Sequence, residues 1–113
     1  MATFTITGWI RLPSSQWLDG ATAIVGLDDV STIDAPSVRI AETVIAPVSG
    51  TLDRIPFSLA VPKRLPTSAS YTLSAEIRRS GPGALRRGDF LSTTAIPWTE
   101  GDVDGNIIDV RQI

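Results

Sequence analysis

Ser70 to Arg78 reads SYTLSAEIR. Tyr71, Leu73, Ala75 and Ile77 occupy one parity of this stretch and Thr72, Ser74, Glu76 and Arg78 the other. Successive side chains of an extended chain point to opposite sides, so this alternation predicts a strand with one face in a core and one in water. A helix would scatter the same four apolar residues around its circumference. One such strand cannot bury its face alone; it needs neighbours in a sheet and a second layer across the core.

The same period recurs on both sides of it. In TFTITGWIRL, Thr3 to Leu12, the apolar Phe4, Ile6, Ile10 and Leu12 oppose Thr3, Thr5, Thr7 and Arg11, with Trp9 on the polar face. Pro13-Ser14-Ser15 is expected to break this strand. ATAIVGL places Ala23, Val25 and Leu27 on one face, and IPFSLAV does so with Ile55, Phe57, Leu59 and Val61. Pro56 and Pro62 lack the N–H that a central ladder needs, which predicts an edge position for that strand. Val38 to Ala46 is rich in β-branched residues but alternates poorly, as a bulge or a change of sheet would make it. Phe90 to Ile96 and Ile107 to Ile113 complete seven short strands separated by turn signals. Residues 1–113 are therefore expected to form one domain, an antiparallel β-sandwich, with at most a short helical turn around Ser31 to Asp34.

Composition narrows the chemistry. The 113 residues are 42% hydrophobic and 19% charged, with a net charge of −2. A chain of this length buries roughly 65% of its unfolded surface, enough for a core without staples. The small net charge argues against nucleic acid as a partner. There is no cysteine and no histidine, which removes disulfides, thiol catalysis, Cys/His zinc sites and imidazole-based triads. No enzymatic activity and no cofactor are expected, and no apolar run reaches the length that inserts in a membrane.

The stretch LDDVSTIDAPSVRIAETVI, Leu27 to Ile45, followed by IPFSLAV, YTLSAEI and FLSTTAIPW, resembles the YbaY/YscW-type lipoprotein family, whose members include type III secretion pilotins. The signature residues are Leu27, Asp29, Val30, Ser31, Asp34, Ala35, Pro36, Ala41 and Glu42, then Ile55, Pro56, Phe57 and Leu59. The resemblance implies a small β-sandwich that binds protein, with a secretin or another envelope protein as partner. It also suggests the periplasm or the outer membrane. The lipidated cysteine that anchors the family has no counterpart in these 113 residues, which leaves a cytoplasmic location open.

Four groups of residues are candidates for a specific role. Asp29, Ser31, Asp34 and Pro36 lie where a strand ends, and short Asp and Ser side chains there accept hydrogen bonds from N–H groups that leave the sheet. The alternative, a catalytic carboxylate pair, lacks an accompanying nucleophile. Arg78, Arg79, Arg86 and Arg87 flank Ser80-Gly81-Pro82-Gly83 and would form a basic tip on a hairpin, suited to an acidic partner or simply solvated. Within it, Arg87-Gly88-Asp89 spells an adhesion tripeptide, too short to carry weight. Asp102, Asp104 and Asn106 set oxygen ligands at alternate positions, a weak cation motif that is also a tight-turn sequence at Asp104-Gly105. Trp9, Trp17 and Trp98 are expected to fill part of the core, with Trp9 the one best placed to be an exposed binding residue. Exposed tryptophans with polar loops would instead suit a carbohydrate- or lipid-binding sandwich.

Overall fold

The computed structural model describes residues 3–31, 36–62, 70–79, 85–92, 96–98 and 104–113. All regular elements among them are strands: β1 (Thr3–Trp17), β2 (Thr22–Asp29), β3 (Val38–Ile45), β4 (Thr51–Pro62), β5 (Tyr71–Arg78), β6 (Phe90–Leu91), β7 (Ile96–Trp98), β8 (Asn106–Asp109) and β9 (Arg111–Gln112). A three-stranded sheet has the order β4-β1-β8 and a six-stranded sheet the order β3-β2-β5-β6-β9, with β7 also on β5. The two pack into a β-sandwich. No helix of the described residues is long and apolar enough to cross a membrane.

The alternation read from the sequence is the alternation of burial. Ala23, Val25 and Leu27 of β2 lie inside, paired with Ile77, Ala75 and Leu73 of β5. From the small sheet, Ile55, Ile10 and Ile108 form a buried row across all three strands. Each such side chain contributes about 1.5–3 kcal/mol by leaving water. Phe57 and Phe90 are buried, and Trp98 meets Tyr71 edge to face with ring centroids 6.2 Å apart.

Both sides of the sandwich are crossed by strands that pass from one sheet to the other. At one side the pairing of β1 with β4 runs on into that of β2 with β3, through the Leu18 N–H to Gly50 (2.9 Å), Gly20 N–H to Val48 (2.8 Å) and Val48 N–H to Ala21 (2.9 Å) bonds. Thr3–Asp29 and Val38–Pro62 thus make one long bent antiparallel ribbon. Its register shifts between Leu27 and Asp28, where β3 carries one extra residue, Ile40. That bulge explains the blurred alternation of β3. At the other side only the buried Val110 separates β8 in the small sheet from β9 in the large one.

Several expectations need correction. β1 does not stop at Pro13: it continues to Trp17 after a shift in register between Arg11 and Gln16. Seven strands become nine because two are interrupted. Phe90 to Trp98 is split into β6 and β7, both on the same flank of β5, with Ser92 bonded to both backbone groups of Ala75 near the break. Pairing is antiparallel except between β1 and β8, which run parallel. Periodicity reports which face a residue takes and not strand direction, which here follows from the path that joins β8 to β9. Gly8 permits that pairing, because a Cβ there would fall on the carbonyl of its partner Asn106. The helical turn suggested for Ser31 to Asp34 falls largely outside the described residues.

Candidate interaction surface

The outer face of the small sheet is built by register. Trp9 lies between Pro56 of β4 and Ile107 of β8, and all three are exposed, Trp9 at 41% and Ile107 at 43%. Two residues on, and so on the same face, Arg11 lies between Arg54 and Asp109. Arg11 binds Asp109 through two bonds, Nε to Oδ1 at 2.6 Å and Nη2 to Oδ2 at 2.9 Å. The hydrogen bond from Arg11 holds the Asp109 carboxyl below its ordinary value, and the same bond raises the guanidinium pKa. Arg54 has no carboxylate within ion-pair distance among the described residues; its guanidinium lies over the Trp9 ring, 5.5 Å from the centroid.

Beside this row β1 leaves its ladder. Between Arg11 and Gln16 it uses four residues, Leu12 to Ser15, against the single Asp53 of β4. Leu12 stays buried and pins the bulge to the core, while Pro13, Ser14 and Ser15 are exposed. The bulge forms the wall of a shallow cleft of about 390 Å³ lined also by Arg11, Asp53 and Arg54. A bulge of this kind re-aims side chains and releases backbone groups from the ladder.

The residues singled out from the sequence are distributed differently. Trp9 is at the surface and Trp98 in the core, but Trp17 is 65% exposed and does not fill the core. Its backbone carbonyl is held by Arg79 (3.1 Å). Arg79 also donates to Gly88 O (3.0 Å) and Gln16 Oε1 (2.8 Å) and covers the Phe90 ring, so it ties β1 to the loop before β6. Arg78 pairs with Glu76 at 3.1 Å. Of the four arginines, Arg86 and Arg87 are the exposed ones, and any charge presented there is mainly theirs. Residues 80–84 lie outside the described residues.

Asp29 Oδ1 accepts from the Ser31 hydroxyl (2.6 Å) and the Ser31 N–H (2.9 Å), which lowers its pKa, and Ser31 Oγ in turn accepts from Ser70 N–H (2.8 Å). This chain of bonds fastens the end of β2 to the start of β5. Pro36 is exposed, and Asp34 lies outside the described residues. Of the weak cation motif, Asp102 is also outside; Asp104 accepts from Thr7 Oγ1 (2.9 Å) and Asn106 donates to Thr7 O (3.2 Å). No group of three metal-ligating side chains occurs among the described residues.

Two polar centres were missed in the sequence. Buried Asp89 accepts the N–H of Arg79 (2.9 Å) and of Arg86 (2.8 Å), so the Arg87-Gly88-Asp89 tripeptide keeps its carboxylate inward and cannot present it for adhesion. Arg39 spans Asp28 (2.6 Å) and Glu42 (3.0 Å) across Gly26, whose missing Cβ leaves room for the guanidinium. The short Arg39 to Glu42 spacing was the available signal.

With this geometry in place, the signature residues of β2 to β5 meet a known family. Over residues 1–98 the chain matches the family described as type III secretion system lipoprotein chaperone (YscW). It belongs to the YscW family. A solved structure of an alternative pilotin from the type II secretion system of Vibrio cholerae has the same fold, with a TM-score of 0.73 and 24% identity over 99% of this chain and 100% of that one. No curated protein matches the sequence. The YscW match spans β1 to β7 and so includes Trp9, the bulge and Arg54, while β8 and β9 lie beyond it.

Proposed function

We propose that residues 1–113 act as one non-enzymatic, pilotin-like interaction domain that holds an extended segment of another envelope or secretion-system protein, a secretin being the first candidate, along the outer edge of β3. Membership of a family of secretion-system lipoprotein chaperones and the fold shared with a type II pilotin support the class. The non-enzymatic reading rests on a sequence without imidazole or thiol.

The observation that carries the location is a difference between edges. β3 offers eight residues without proline, with Val38 and Val44 exposed at 61% and 55%. β4 carries Pro56 and Pro62, an even number of residues apart, so both missing donors fall on one side of that strand. β8 and β9 have four and two residues. Unpaired N–H and C=O groups on an unblocked edge template the addition of another strand. A photo-crosslinking residue at Val44 should label a single envelope protein in the source cell, and one at Ser58 on β4 should not. Equal labelling from both positions, or labelling of no envelope protein, would reject the edge.

The carbohydrate- or lipid-binding alternative needs bare indole rings. Trp98 is buried and the Arg54 guanidinium lies over part of Trp9, which leaves Trp17 as the most exposed ring.

A further inference from the structure

The outer face of the small sheet makes a second surface, independent of the β3 edge. We propose that it docks an extended segment of a partner protein carrying one acid beside an apolar residue, which sets the apolar side chain on Trp9, Pro56 and Ile107 and, two residues on, the carboxylate on Arg54 beside the Leu12–Ser15 bulge.

Three observations lead there. First, Arg11 and Arg54 are directly opposite in the β1–β4 register, and like charges in that position destabilise a sheet. Asp109 compensates Arg11 with both its oxygens, and the described residues supply no carboxylate to Arg54. The Arg54 guanidinium lies over the Trp9 ring in a cation–π contact, while its N–H fork stays able to take a carboxylate. Second, the apolar row and the cationic row are one same-face step apart, about 7 Å, which is the period of any extended partner laid along β1. Third, the cleft beside Arg54 adds Ser14 and Ser15, whose hydroxyls are hydrogen-bond donors.

The charges around the patch select this occupant. Asp53 forms part of the cleft wall, so an incoming carboxylate is steered to the Trp9 side of Arg54, where the apolar contact lies. Asp53, Asp104 and Asp109 are exposed together with Arg11 and Arg54, and such a mixture of signs would repel an anionic bilayer as much as attract it. It fits a segment in which one acid stands next to an apolar residue on the same face.

The test uses the full chain and two nine-residue peptides, acetylated and amidated, each with one leucine and, two residues on, aspartate in one and asparagine in the other. Titrations followed by NMR should show the aspartate peptide shifting the Trp9 indole and Arg54 signals. Its affinity should fall about tenfold with asparagine and about tenfold in Arg54→Gln, as the loss of one charged hydrogen bond implies. Trp9→Thr, which keeps a strand-forming residue on the outer face, should weaken both peptides alike. Equal affinity for the two peptides, or shifts confined to other parts of the chain, would overturn the proposal. So would Arg54-dependent sedimentation with phosphatidylglycerol vesicles in a protein whose spectrum the aspartate peptide leaves unmoved, since that result assigns the face to lipid.

Discussion

On the large sheet, Arg39 bonds Asp28 and Glu42, and Arg78 bonds Glu76. On the small sheet, Arg11 bonds Asp109, while Arg54, directly opposite it, has the Trp9 ring and no carboxylate among the described residues. The exposed apolar row also belongs to the small sheet, where Trp9, Pro56 and Ile107 lie in register. The large sheet thus compensates Arg39 and Arg78 internally, with only Arg111 of the two-residue β9 lacking a carboxylate there, and the small sheet sets its one uncompensated cation on an exposed aromatic side chain among the described residues. A face that satisfies itself has little to gain from a partner; a face with an uncompensated cation beside apolar surface has both an electrostatic and a hydrophobic reason to be covered.

The difference is confined to the outer faces if both sheets contribute equally to one core. Leu73→Ala in the large sheet and Ile10→Ala in the small one, both fully buried, should each cost about 2–5 kcal/mol, a large part of a total of roughly 5–15 kcal/mol. Denaturant unfolding measures this, and a loss from Ile10→Ala far below that from Leu73→Ala would show the small sheet to be only loosely packed.

A smaller effect distinguishes the two close-approach glycines. In Gly8→Ala the new methyl meets the backbone of Asn106, which must move, so a loss of about 1–3 kcal/mol is expected. In Gly26→Ala it meets the end of the Arg39 side chain, which can swing away at the cost of surface ion pairs, so less than about 1 kcal/mol should be lost. The reverse order in thermal unfolding would mean that Arg39 is held more rigidly than β8.

Smaller again is the contrast between the arginines themselves. Arg39→Ala removes the partner of half-buried Asp28 and should cost about 0.5–1 kcal/mol. Arg54→Ala removes a like-charged neighbour of Arg11 and should leave stability within about 0.5 kcal/mol. Equal losses in chemical denaturation would remove the comparison on which the second surface rests.

The smallest expected effect is in acid. Asp29 and Asp109 have folded-state pKa values below the ordinary 3.8, the first through Ser31 and the second through Arg11. Their stabilisation is therefore complete above pH 3.8 and is lost as pH falls through the lower folded values, where the folded state must also take up the protons. Asp29→Asn and Asp109→Asn should each be less stable than the parent at neutral pH and approach it as the pH drops below this range. Thermal melts between neutral pH and strong acid read the convergence.

The strands were legible because their signal is local. In β2, β4 and β5 the apolar parity alone named the buried residues, and Pro56 marked β4 as an edge. The proposed binding surfaces were less so. Trp9 was visible as an apolar residue on a polar face, but nothing near it in sequence indicates Arg54 or Ile107, which reach it only by pairing. Arg78 and Arg79 read as surface charge; Glu76 lies two residues from Arg78 on the same face of β5, whereas the Arg79 partners Gln16 and Gly88 depend on how β1 and the loop before β6 meet the end of β5. Asp89 gave no sign of burial because its two donors are backbone groups, which every sequence contains.

By itself the sequence determined which residues face inward, since side-chain direction in an extended chain alternates whatever its neighbours are, and it determined that these 113 residues carry no thiol or imidazole side chain. Tertiary structure alone decided that β8 runs parallel to β1, that β3 ends the large sheet, and that among the described residues Arg54, unlike Arg79, is left without an internal acceptor. The reason is that pairing partners lie far apart in sequence, as Arg11 and Asp109 do, and charge compensation is settled only when register brings them within hydrogen-bond reach.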